Sequence, residues 1–256
     1  EFTEMGQREL AYEIKDFKPI NKNQDKKYAV LQLSDWHCGA LVDNQFNYYN
    51  VDTMVDRATK VRNNALEYCK LHNVTDLVIE INGDMVNGAI HVSSRVESEE
   101  GVIQQVITVT DVLAKLINSM KPYFNSIKIV TTLGNHGRLT PNKSDSITNE
   151  NFEMLIPTML RDKLSDVKII DSKGLDFTKY EIDGKIIALS PRVLGDSVLI
   201  ESKGKYLLMD TGYGVDIPVI SEFTGGGYKS IKFTNINHDG SAAQAAGFVD
   251  TDYPVF

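Results

Sequence analysis

Disulfide bonds cannot carry this fold. The chain has 2 cysteines, Cys38 and Cys69, too few and too far apart for a disulfide framework. They read as reduced thiols of a cytoplasmic protein. Long apolar runs are also missing. No stretch approaches the roughly 18 residues of a membrane helix, so no membrane partner is expected, and no signal-peptide pattern is read. Positive charge is in deficit: 27 Lys and Arg against 35 Asp and Glu leave a formal net charge of −8. Such a chain is a poor general binder of phosphate backbones. Contact with nucleic acid then requires a local patch or a metal. Internal repeats and long low-complexity tracts are absent. What the chain does have is apolar content, 42% of 256 residues, which suffices for one sizeable core with room for an appended unit.

Three strand-like runs end in residues that ligate metals or phosphate. Lys27 to Leu33 is short and apolar, with β-branched and aromatic members, and leads into Ser34-Asp35-Trp36-His37. If the strand stays extended through Asp35 and His37, both side chains point to one face, with Trp36 turned the other way into the core. Asp76 to Ile81 ends in Asn82-Gly83-Asp84, and Ile127 to Leu133 ends in Gly134-Asn135-His136. The glycines before Asp84 and Asn135 permit sharp turns. Carboxylate, imidazole and amide oxygen just past the carboxyl ends of strands are suitable ligands for a divalent cation.

Between these runs lie helical periods. Met54 to Cys69 reads as a crossover helix with Asp52 as its N-cap, and His72 at its end as a surface residue. Ala89 to Glu100 reads as a polar loop holding His91 and Arg95. Val102 to Ile117 is a second amphipathic helix, and Glu150 to Leu164 a third, bent at Pro157. The alternation predicts an α/β fold: a layered sheet flanked by helices. From Val167 the character becomes β. Hairpins are expected around Asp183-Gly184 and around Ser202-Lys203-Gly204. The organisation predicted is an extended lead-in over 1–26, an α/β domain over 27–190 and a β-rich segment over 191–256.

D-x-H, then G-D, then G-N-H, in that order on three strands, resembles the calcineurin-like metallophosphoesterase superfamily. The resemblance covers roughly residues 27–190. Asn82 to His91 and Gly134 to Arg138 are similar to phage-encoded phosphoesterases of the nuclease type. The resemblance implies a two-metal site, with Mn²⁺ the first expectation and Mg²⁺, Zn²⁺ or Fe as alternatives. Asp35 and His37 would bind the first metal, Asp84 would bridge, and Asn135 would bind the second through its amide oxygen. His136 would face the substrate phosphate as donor or general acid. The activity implied is hydrolysis of a phosphodiester such as DNA by a metal-activated water.

This sequence departs from the family pattern in several places. Gly83-Asp84-Met85-Val86-Asn87-Gly88 is one residue short of the second motif. Gly137 and Arg138 follow His136 where an orienting carboxylate is common, and Arg138 becomes a candidate for binding a phosphate oxygen. The strand Lys185 to Ser190 delivers no histidine, and no G-H-x-H occurs. His238 and His91 are the additional histidines considered for the site. Leu194 to Ser202 and Gly204 to Gly212 are similar to the opening hairpin of metallo-β-lactamase-fold proteins, without their histidine motif. Three readings follow: a phosphodiesterase, a phosphomonoesterase or small-nucleotide phosphodiesterase, and a non-catalytic protein on a phosphoesterase scaffold. The ligand count predicts one tight metal and an incomplete second position.

Overall fold

The computed structural model describes residues 26–142, 150–173, 178–190, 197–202, 205–211 and 232–235. Its centre is a four-stranded sheet of β1 (Tyr28–Leu33), β4 (Asp76–Ile81), β5 (Ser126–Thr131) and β6 (Lys168–Ile170), in that spatial order. All three pairings are parallel. Parallel neighbours need crossovers, and helices supply them. Helix α1 (Val51–Leu71) joins β1 to β4, α3 (Val102–Met120) joins β4 to β5, and α4 (Leu155–Lys163) precedes β6. The protein is therefore mixed α/β, with a parallel central sheet flanked by helices. A small ribbon of β2 (Val42–Asp43) and β3 (Tyr48–Tyr49) precedes α1, and a short helix α2 (Val92–Val96) precedes α3.

Strand β4 is buried at every position, so its apolar run is continuous rather than alternating. Its two faces serve two cores. Leu77, Ile79 and Ile81 pack with Met54 and Leu66 of α1, Leu113 and Leu116 of α3, and Leu160 of α4. Full burial of one such side chain is worth about 1.5–3 kcal/mol. Val78 on the other face, with Val130 of β5, packs against Tyr180, Ile182, Ile187 and Leu189. Those four residues belong to β7 (Thr178–Ile182) and β8 (Lys185–Ser190), part of a second sheet ordered β11-β10-β9-β8-β7. Strands β9 (Ser197–Ser202), β10 (Lys205–Thr211) and β11 (Lys232–Asn235) complete it.

Both expected hairpins form. Asp183 and Gly184 adopt φ of 48° and 73°, the two positive values a tight two-residue hairpin turn requires. Strand β8 pairs with β9, so the sheet runs without interruption across the predicted boundary at residue 190. The lead-in over 1–25 and most of 212–256 lie outside the described residues.

Four local readings are corrected. Asn50, not Asp52, caps α1: its side chain accepts from the Thr53 amide, while Asp52 stands in the first turn, where a carboxylate favours the helix dipole. Within the expected loop 89–100, residues Val92–Val96 form one short helix. The third helix opens as a 3₁₀ turn over Phe152–Met154, capped by Asn151. Pro157 then falls in the first turn of α4, where its missing N–H breaks no hydrogen bond, so it marks the helix start rather than a bend. The third sheet strand stops at Thr131, two residues before Leu133.

Glu80 carries a testable consequence of the layering. Its carboxylate lies between the sheets, 2% exposed, and accepts from the Tyr180 hydroxyl. Burial pushes its pKa up from 4.5 to about 7, and the Tyr180 bond only partly offsets this. An acid with a raised folded-state pKa contributes stability that is full below pH 4.5 and is lost as pH rises through about 7. Glu80→Gln keeps the acceptor for Tyr180 but cannot ionise. In urea titrations at pH 5 and pH 8, the wild type should lose on the order of 3 kcal/mol more than the variant between the two. Equal losses would mean that Glu80 titrates normally.

Candidate functional site

The carboxyl ends of β1, β4 and β5 stand level, with Leu33 opposite Ile81 and Ile81 opposite Thr131. The loops that leave them stay stitched together. The Asp35 amide donates to Gly83 O (3.2 Å), the His37 amide to Asp84 O (3.0 Å) and the Cys38 amide to Met85 O (2.9 Å). These bonds carry the D-x-H loop along the G-D loop beyond the sheet.

The extended backbone predicted through Asp35 and His37 is not what forms. Strand β1 ends at Leu33, and Asp35, His37 and Asp84 have φ of 56°, 43° and 50°. These are left-handed values, uncommon for residues other than glycine, and cost about 1–3 kcal/mol each. The amide bonds just described hold them in place. Asp35 and His37 still converge, with Oδ1 and Nε2 3.7 Å apart. Trp36 is partly buried against the main core.

The G-N-H loop closes on the G-D loop backbone to backbone. A Cβ on Gly134 would stand 2.0 Å from the Asp84 nitrogen, and one on Gly83 would stand 2.2 Å from the Gly134 nitrogen. Gly83 has φ of 77°, the turn the sequence suggested, whereas Gly134 is required for close approach instead. The His136 amide donates to Asp84 Oδ1 at 2.8 Å, tying the third motif to the second.

His136 has an orienting partner that no motif announces. Its Nδ1 lies 3.0 Å from Asn87 O. A carbonyl only accepts, so Nδ1 carries the hydrogen and Nε2 is left for chemistry. A backbone carbonyl of the G-D loop thus orients the imidazole. The ring stands edge-on to His37, centroids 4.4 Å apart, and 5.7 Å from His91. His91 is exposed and belongs to the site's rim. Arg138 folds back, donating from Nε to Asn135 O at 3.0 Å, which sets its guanidinium beside that turn. His238 lies outside the described residues.

Sequence reasoning missed Glu153. It sits in the 3₁₀ turn, 2% exposed, and accepts from the Met85 amide (2.6 Å), the Val86 amide (3.2 Å) and the Gly134 amide (2.7 Å). An amphipathic reading of 150–164 treats it as one more helical position, and its partners lie as far as 68 residues away. The nearest sequence signal is Asn151, a capping residue two positions earlier.

Negative charge dominates the electrostatics. His37, despite the burial that lowers its pKa, is raised overall by the adjacent Asp35 carboxylate and by the charges of Asp84 and Glu153. The nearby His37 imidazole holds Asp35 below the usual carboxylate range against its own desolvation. Burial and the Asp84 charge push Glu153 up to about 7, against the pull of its three amides. Among the described residues, no lysine or arginine pairs with Asp84 or Glu153.

Carboxylate, imidazole and amide oxygen are donor types that a divalent metal takes. Coordination is not closed, however. Among the described residues, no three His, Cys, Asp or Glu side chains already group to hold one ion.

No protein-family model matches the chain. It is similar to the SPbeta prophage-derived uncharacterized protein YonJ of Bacillus subtilis (strain 168), 29% identical over 176 residues. The match takes in 65% of this chain and 43% of that protein, so the chain spans less than half of its relative's length. Among the described residues, no helix is long and apolar enough to cross a membrane.

Proposed function

We propose that this protein is a metal-dependent phosphoesterase of calcineurin-like layering that hydrolyses a phosphodiester such as DNA. One observation supports this above the rest. Asp35 and His37, Asp84, and Asn135 and His136 leave three adjacent parallel strands at one edge and are joined there by hydrogen bonds. The similarity to a protein named as prophage-derived accords with the phage-type motifs. The two cysteines, free and buried, accord with a cytoplasmic setting.

In this reading Asp35, His37 and Asp84 would hold one cation, and Asp84 with Asn135 would offer a second, poorer position. A divalent ion bound there would supply water acidification and charge neutralisation at the phosphate. The chain's own residues do the rest. Asp84 Oδ1 holds the His136 amide, and its charge would be shared between the two cation positions. His136, locked by Asn87 O, presents Nε2 to a leaving or bridging oxygen and donates or accepts a proton there. Arg138, anchored on Asn135 O, brings a guanidinium to the phosphate side of the same turn.

The test is hydrolysis of bis-p-nitrophenyl phosphate with added Mn²⁺, against a monoester substrate. Diester turnover above monoester turnover is expected, and the reverse preference would move the assignment to a phosphomonoesterase. Titration calorimetry with Mn²⁺ should show one strong event per chain, because the second position has a shared carboxylate and a neutral amide only. Two strong events would mean that further residues, His238 first among them, complete it. No binding and no turnover would leave a non-catalytic scaffold.

A further inference from the structure

We propose that Glu153 is the positioning residue of this site: its buried carboxylate clamps the G-D loop to the G-N-H loop and sets the spacing of Asp84 and Asn135. The spacing role rests on the metal-centre reading above; the clamp itself does not. Each carboxylate oxygen serves a different loop. Oε1 receives the Met85 and Val86 amides, directly after Asp84, and Oε2 receives the Gly134 amide, directly before Asn135. Three amide donors around one buried carboxylate form a charge-assisted set that favours a single geometry.

The turn that delivers Glu153 is anchored at the same place. Asn151 Oδ1 accepts from the Glu153 amide at 2.9 Å, and its Nδ2 donates to Gly134 O at 2.8 Å. The Phe152 amide donates to Gly137 O at 2.7 Å. Gly137 leaves no room for slack, since a Cβ there would stand 2.1 Å from Asn151 Oδ1 and 2.8 Å from Glu153 Cγ. Glu153 reaches the loops' backbone rather than their ligating side chains, so it acts through Asp84 and Asn135.

Glu153→Gln tests the clamp with no change of shape. Its amide group would oppose an N–H of one loop, donor against donor, so one arm of the clamp must fail. In the metal-free protein, the Met85, Val86 and Gly134 amides should exchange with deuterium at least tenfold faster by NMR, with β1 and α1 unchanged. Mn²⁺ affinity by calorimetry should fall about ten- to hundredfold, as for other residues that orient ligands from behind. Wild-type exchange at those three amides in Glu153→Gln overturns the proposal. Faster exchange in the variant, with a wild type that binds no Mn²⁺, supports the clamp and overturns the metal reading. Should Glu153→Gln lose protection in α1 and fail to fold, Asn151→Ala decides. That variant keeps the carboxylate but removes its turn's anchor. Faster Gly134 exchange and weaker Mn²⁺ binding support the proposal, and wild-type values for both overturn it.

Discussion

Asp84→Asn should lose nearly all bound Mn²⁺ and at least about a thousandfold in diester hydrolysis, whereas His37→Ala should keep a measurable share of both. Asp84 is the junction of the three loops. Its carbonyl accepts the His37 amide and its Oδ1 accepts the His136 amide. The Asn variant retains an amide oxygen for His136 and a backbone carbonyl for His37, so it removes charge with little change of structure. The site has no lysine or arginine at Asp84 among the described residues. In the proposed reading, loss of that charge weakens the hold on the cation, and it also removes a charge that raises the pKa of His37 and Glu153. In the proposed reading His37 is one ligand of the first position, and its removal leaves both carboxylates in place. Elemental analysis after equilibration with Mn²⁺ and gel filtration provides the measurement. Equal metal content in the wild type and Asp84→Asn would refute the assignment of Asp84.

His136→Ala should lower kcat about a hundred- to thousandfold while Mn²⁺ affinity stays close to that of the wild type. The reason is geometric. The contact between His136 and Asp84 runs through the backbone amide, which alanine keeps. The imidazole is oriented by Asn87 O and stands edge-on to His37 and near His91, placed for proton transfer rather than as a ligand in this reading. A general acid or base of this kind also leaves a mark on the pH–rate profile, so one limb of the wild-type profile should disappear in the variant. Metal affinity and kcat falling together, with the limb intact, would make His136 a ligand or a purely structural residue.

Much of this architecture is local and so could be read from the chain alone. Strand runs such as Asp76 to Ile81 are short, apolar and bounded by turn residues, and their alternation with helical periods forces a parallel sheet. Asp183-Gly184 announces its hairpin because few residue pairs accept two positive φ values in succession. The order D-x-H, G-D, G-N-H could be read too, because ligand types at strand ends are a local pattern and parallel strands bring such ends to one edge. Tertiary structure alone decided how those residues meet. Asp35, His37 and Asp84 take left-handed backbone that only the hydrogen bonds between loops can hold, so alternation along an extended strand gave the right convergence for the wrong reason. Gly134 matters because another backbone passes within contact distance, which no neighbour in sequence records. The Asn87 carbonyl orients His136, and backbone atoms carry no residue-type signal. Glu153 is the clearest case: a carboxylate in an apparently ordinary helical turn becomes the clamp of the site because folding brings three distant amides to it. An acidic side chain is read by default as solvated, and its burial has a physical cause only once those donors are in place.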